Sequence, residues 1–224
     1  MNSEEFMQEA GAVIQHLRSQ RNDERHIVVP FMSGDLTQWN LYLASSSEYV
    51  MRLIDGFILM LESRNIVCVA QLLRAQIGAC LRTFALFVAE DQDAFLDRAF
   101  KEERINQLKD REGKRMSDAR LQELLACFDP KLKDVYETTS GFVHFSMSIL
   151  PSMGTHADEY HVEFNFGSEP NARNNVPLIE CGKAFIHYVD LHLQMLQKVI
   201  ASDDRYANRA KNAEVSTESD SARG

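Results

Sequence analysis

The stretch IVCVAQLLRAQIGACLRTFALFVA, residues 66–89, decides the fold. Ile66, Val69, Ala70, Leu73, Ile77, Cys80, Leu81, Phe84 and Val88 recur at steps of three and four, the period of a helix. Apolar side chains take more than half of its circumference, a pattern that is stable in water only when neighbours surround the helix. Residues 65–89 are therefore expected as the central helix of a bundle. Gln71, Arg74, Gln76 and Arg82 interrupt the apolar run, so a membrane span is not expected.

On the N-terminal side, Trp39, Leu43, Val50, Leu53, Phe57, Met60 and Leu61 mark a long helix over about 36–64, with Ser33 or Asp35 as its cap. Glu48, Asp55 and Glu62 repeat every seven residues along one side of it. They are the natural partners of Arg74 and Arg82, because a guanidinium in an apolar helix is costly unless paired. Before it, Phe6, Ala10, Val13, Ile14 and Leu17 give a first helix over about 3–20 capped by Ser3. Residues 22–34 read as a connector with an extended IVVPFM segment.

On the C-terminal side the character changes. Residues 91–120 are densely charged and predict a peripheral helix ending near Gly113, then a short helix from Ser117 or Asp118 that stops at Asp129 and Pro130. Pro130 suits the first position of the next helix, expected to reach residue 147. YHVEFNF at residues 160–166 alternates, with Tyr160, Val162, Phe164 and Phe166 on one face, as in a half-buried strand. Its partner is expected at 148–153. A last helix follows over 176–202, and apolar residues almost vanish beyond it. The expected fold is mainly α: a helical bundle of about five to seven helices with a short β-hairpin insert before the last helix. It forms a single domain over 1–204, followed by a disordered tail over 205–224.

The formal net charge of −9 argues against broad affinity for nucleic acid or anionic membranes. A local basic patch is compatible with it. Residues 98–120 hold eight basic and five acidic side chains, although mixed-sign runs are usually solvated faces. Cys68, Cys80, Cys127 and Cys181 sit in apolar patterns with no C-x-x-C pair, the usage of small buried hydrophobes in a reducing compartment. The acidic N-terminus lacks the order of a signal peptide. A cytoplasmic protein is expected.

Chemistry concentrates in YETTSGFVH, residues 136–144. Tyr136, Ser140 and His144 stand at i, i+4 and i+8, one stripe of three polar tips on a helix. His144 is the candidate base, since imidazole titrates near neutral pH. Tyr136 and Ser140 would hold a substrate phosphate and Arg74 would clamp it. The plainer alternative is that all three are interior groups hydrogen-bonded to adjacent helices. His156, Asp158, His161 and Glu163 match no metal spacing, and no metal or cofactor is expected. His187 and His192 read as structural or exposed.

The segments LLRAQIGACLRTFALFV and VYETTSGFVHFS together resemble a group of uncharacterised bacterial helical proteins. These share an R-x-x-x-E helix and a later Tyr-x-x-x-Ser-x-x-x-His helix, and are similar in outline to HEPN-type bundles and abortive-infection proteins. The resemblance covers about 36–202. Arg74, Tyr136, Ser140 and His144 match the motifs; Gly78 departs, standing where the pattern has glutamate. HEPN ribonucleases use an Arg-x4–6-His motif, whose one match here is Arg21 and His26. The resemblance implies a protein of phage or plasmid defence that binds or cleaves RNA. The alternative is a non-enzymatic module that binds a protein partner or forms a homo-oligomer, with the polar stripe purely structural. A small-molecule sensor built in the bundle core is a third reading.

Overall fold

In the computed structural model, which describes residues 1–143, 154–156, 162–164 and 172–202, Asn2 rather than Ser3 caps the first helix. Its side chain accepts from the Glu5 amide, and Glu5 returns the bond, a capping box. Helix α1, Ser3–Ile27, runs well past residue 20. The buried stripe Phe6, Ala10, Val13, Leu17 continues through Gln20, Glu24 and Ile27. The charged start of the segment expected as a connector is thus helix, because Glu24 and Ile27 continue the buried stripe. The IVVPFM segment is not extended either: α2, Val29–Met32, is a single turn with Pro30 near its start and Phe31 fully buried.

Thr37 caps α3, Gln38–Glu62, its hydroxyl accepting from the Asn40 amide. The link to α4, Ile66–Val88, is three residues long. Arg64 there adopts φ 55°, while the Arg64 and Asn65 amides donate back to the Leu61 and Met60 carbonyls. That is a Schellman ending with arginine at the position usually given to glycine. The Arg64 guanidinium lies 4.4 Å over the Phe6 ring and donates to Ser3 Oγ, which ties the link to the start of α1. Asn65 then caps α4.

Helix α5, Gln92–Phe100, ends long before Gly113. Gly113 (φ 78°) instead turns a tight loop bounded by the bridges Ala89 to Asp110 and Lys109 to Arg115. Ser117 caps α6, Asp118–Leu125, and α7 is Leu132–Val143. Asp129 accepts from the Lys131 amide just ahead of α7. The segments β1, Gly154–His156, and β2, Val162–Phe164, pair antiparallel in the register Gly154 to Phe164 and His156 to Val162. The partner of Val162–Phe164 is thus Gly154–His156 and not the expected stretch 148–153; the end of the helix expected to 147 and the tail at 205–224 lie outside the described residues. Helix α8 is Asn175–Ser202.

The chain is mainly helical, and its helices form a bundle. Helix α4 touches α3, α5, α6, α7 and α8, while α1 lies along α8 and α3. Phe57 and Phe185 stack at 4.0 Å between α3 and α8. Among the described residues α4 alone is long and apolar enough to cross a membrane by length and composition; 56% of its most apolar window is buried by neighbouring helices.

Candidate functional site

Arg74 and Arg82 stand two turns apart on α4 and meet carboxylates, but not the ones expected on α3. Glu48 pairs with Arg52 at 2.6 Å and Asp55 with Arg21 at 2.6 Å, while Glu62 is exposed. The seven-residue repeat follows a face of α3 turned from α4. The partner of both arginines is Asp118, the first residue of α6. Arg82 Nη2 donates to Asp118 Oδ1, and Arg74 Nη2 lies 3.7 Å from Oδ2.

Arg74 also gathers the motif of α7. Its guanidinium stacks 3.5 Å over the Tyr136 ring, Nη2 donates to the phenol oxygen, and Nε donates to Ser140 Oγ at 3.4 Å. The Tyr136 phenol donates to Asp118 Oδ2 at 3.0 Å, and the Ser140 hydroxyl to the Tyr136 carbonyl at 2.7 Å. Burial raises the Tyr136 pKa and the bond to Asp118 raises it further, so the phenol is protonated at neutral pH and acts as a donor rather than a base. Burial lowers the Arg74 pKa against the pull of Tyr136 and Asp118. Tyr136 and Ser140 lie on one face of α7, and Arg74 meets both. His144, the candidate base, lies outside the described residues. Arg21 is on α1 in its pair with Asp55, with His26 exposed, so the one Arg-x4-His match takes no part.

Arg74, Arg82 and Asp118 form one wall of a cavity of about 480 Å³ that Gly78 and Thr83 also line, with Tyr42, Tyr49, Ser45 and Ser46 facing from α3; Tyr136 and Ser140 stand outside it. Burial pushes the Tyr42 phenol up to about 12, and its hydroxyl donates to the Arg82 carbonyl. A Cβ at Gly78 would meet only Arg74 Nη1, at 3.5 Å. A carboxylate side chain at Gly78 would therefore stand beside Arg74, whose carboxylate neighbour here is Asp118. Two guanidinium groups share that one carboxylate, which leaves a positive charge. Arg82 Nη1 and Thr83 Oγ1 are sealed from solvent and have no hydrogen-bond partner among the described residues.

A second polar cluster adjoins the cavity and escaped the sequence reading. Glu24, Ser47 and His192 are wholly buried; Glu24 Oε1 lies 2.6 Å from His192 Nδ1, and Glu24 Oε2 accepts from Ser47 at 2.6 Å. The other imidazole nitrogen, Nε2, is 3.2 Å from Ser46 Oγ. The available signal was positional: Glu24 falls on the buried stripe of α1. His187, on the same helix as His192, pairs with Asp129 at 3.1 Å.

Of the basic run at 98–120, Arg120 is buried and bound to Asp110, Glu112 and Glu123. Lys101, Arg104, Lys109, Arg111 and Arg115 are exposed. Among the described residues no three His, Cys, Asp or Glu side chains are grouped to share a metal ion; His156 and Glu163 are on β1 and β2, and Asp158 and His161 lie outside the described residues. Compared with protein-family models, curated proteins and solved structures, the chain matches none.

Proposed function

We propose that the arginine-lined cavity binds an anionic ligand, and that the ligand is the phosphate backbone of RNA, as in a HEPN-like bacterial protein of phage or plasmid defence. The observation that carries this is the charge count at the cavity wall: among the described residues Arg74 and Arg82 pair with Asp118 and with no other carboxylate. Two guanidinium charges on one carboxylate leave a surplus that a phosphate oxygen would balance through charge-assisted hydrogen bonds. The hydroxyls of Ser45 and Tyr49 on the same walls are neutral groups that bond phosphate oxygens without cancelling the charge. His144, four residues beyond Ser140 in the sequence, is the candidate base for cleavage.

The purified protein is titrated with total RNA, with and without added divalent metal, and both mobility shift and RNA length are read. Binding that weakens about tenfold in Arg82→Gln and Arg74→Gln, corresponding to the loss of one charge-assisted contact, supports the reading. Cleavage abolished by His144→Ala adds the catalytic step. RNA that neither binds nor shortens with the folded wild type removes it.

The second reading, a non-enzymatic module that binds a protein partner or dimerises, is favoured by a separate observation. Phe128 stands 67% exposed beside an apolar groove lined by Phe84, Phe87, Leu191 and Met195. A chain that sediments as a dimer only while Phe128 is intact would support it.

A further inference from the structure

We infer that Ser46 is a nucleophile, activated by His192 and oriented through Glu24, and that the cavity hydrolyses an ester bearing an anionic group. The inference rests on the anion-binding reading of the cavity for the substrate's charge; the nucleophile is argued separately, from the cluster behind the wall.

Three groups stand in a line. Glu24 Oε1 is 2.6 Å from His192 Nδ1, and His192 Nε2 is 3.2 Å from Ser46 Oγ. A carboxylate on one ring nitrogen and a hydroxyl on the other is the order that makes a serine nucleophilic. Each comes from a different helix, α1, α8 and α3, so packing of the whole bundle sets the alignment. Ser47 occupies the second carboxylate oxygen at 2.6 Å, which holds Glu24 in one rotamer. The burial is graded: Glu24 and His192 are sealed, whereas Ser46 is half-buried and lines the cavity. A purely structural pin needs no such exit to solvent. The Ser46 hydroxyl now donates to the Leu43 carbonyl at 2.8 Å. Ser46 Oγ already stands within reach of Nε2, so only its O–H has to turn from that carbonyl to the ring nitrogen, at the cost of a secondary bond.

The cavity also holds what the reaction requires beyond a nucleophile. Tyr49, exposed and lining the same cavity, offers a hydroxyl donor for a carbonyl oxygen that gains charge. Arg74 and Arg82 anchor the anionic end. Ser46 Oγ attacks the ester carbonyl carbon while its proton passes to His192 Nε2. The bond from carbon to the alcohol oxygen breaks, the alcohol leaves with the proton from Nε2, and an acyl group remains on Ser46. Water then attacks the acyl carbon, yields its proton to Nε2, and Ser46 recovers a proton as the acid departs. No oxidant, reductant or metal enters the balance.

The test uses a fluorophosphonate probe on the full chain, with peptide mass spectrometry to locate the adduct. Ser46 displaces fluoride from phosphorus, so the expected result is a single adduct on the peptide containing Ser46, absent in Ser46→Ala. A folded wild type that carries no adduct there overturns the proposal. Because Glu24 or His192 variants can fail to fold, the near-isosteric Ser46→Cys gives a second reading. Its introduced thiol, facing His192, is expected to react with iodoacetamide at least tenfold faster than the exposed Cys127; an equal or slower rate overturns the proposal. RNA binding without a Ser46 adduct removes the nucleophile and keeps the anion site. An adduct without RNA binding keeps the nucleophile and removes RNA as the ligand.

Discussion

Gly182 on α8 faces Val13 on α1 so closely that a Cβ built on the glycine would stand 2.9 Å from Val13 Cγ1. Val13 is almost fully buried, so its side chain has little room to withdraw. Overpacking of this kind costs about 1–3 kcal/mol, and the helix propensity that alanine regains offsets up to about 1 kcal/mol. Gly182→Ala is expected to lower stability by about 1 kcal/mol in urea denaturation. Combined with Val13→Ala it should cost less than the sum of the two single changes. A stabilised Gly182→Ala would mean that the two helices separate freely.

The charge at the arginine-lined cavity can be moved in both directions without touching either arginine. Asp118→Asn removes the shared carboxylate and raises the local charge by one; Gly78→Glu adds a carboxylate in open space beside Arg74. Anion affinity, read by fluorescence anisotropy of a labelled RNA, is expected to rise severalfold in the first and fall severalfold in the second. Both effects should shrink in high salt as screening sets in. Equal affinity in all three proteins would place the ligand elsewhere.

Asp110 organises the loop before α6. Its carboxylate accepts from the Glu112 and Lys114 amides at 3.0 and 2.9 Å and from Arg120 Nε at 2.7 Å. Burial opposes its ionisation, but Arg120 and those two amides outweigh burial and hold its pKa below the ordinary value. A carboxyl depressed on folding contributes stability in full above its unfolded value of about 3.9, and that contribution is lost as pH falls through the lower folded value. Thermal melts should therefore decline below about pH 4. Asp110→Asn should lower stability at neutral pH and flatten that decline; an unchanged acid slope would count against the assignment.

Glu24 and His192 invite a double-mutant cycle. Removing one member of a buried pair leaves the other without its partner, at about 3–5 kcal/mol. Glu24→Leu and His192→Leu are each expected to fall in that range in urea denaturation. The double substitution should cost less than their sum, because it leaves neither charge nor ring stranded. Strict additivity would show that the two side chains do not interact in solution.

Periodicity located α4 to within a residue at each end, because a helix surrounded by neighbours must be apolar nearly all round. The Tyr136 and Ser140 spacing was equally legible, since residues four apart share a face whatever surrounds them. Their partner was not. Asp118 read as a helix-start residue, which it is, and nothing in the chain says that the start of α6 lies across from Arg74 and Arg82. Glu24 shows the reverse failure: its neighbours Asp23 and Arg25 made the segment look solvated, while its place on the Phe6 to Leu17 stripe put it inside. Charge in a window and position on a stripe gave opposite answers there, and position was right. For Ser46 no local pattern existed, because its significance comes from α8, nearly 150 positions away in the chain.

The adjacency of α1 and α8 also bears on the order of events during synthesis. Contacts within the α3–α4 pair join neighbours in sequence and form early, since short loops close with little loss of entropy. The groove beside α1 stays open until the final helix has emerged from the ribosome. Up to that moment Phe6, Val13 and Leu17 have no α8 side chains to cover them. A nascent chain stalled before residue 175 would present that apolar stripe to chaperones, and release of the last helix is the step that turns a sticky intermediate into a sealed protein.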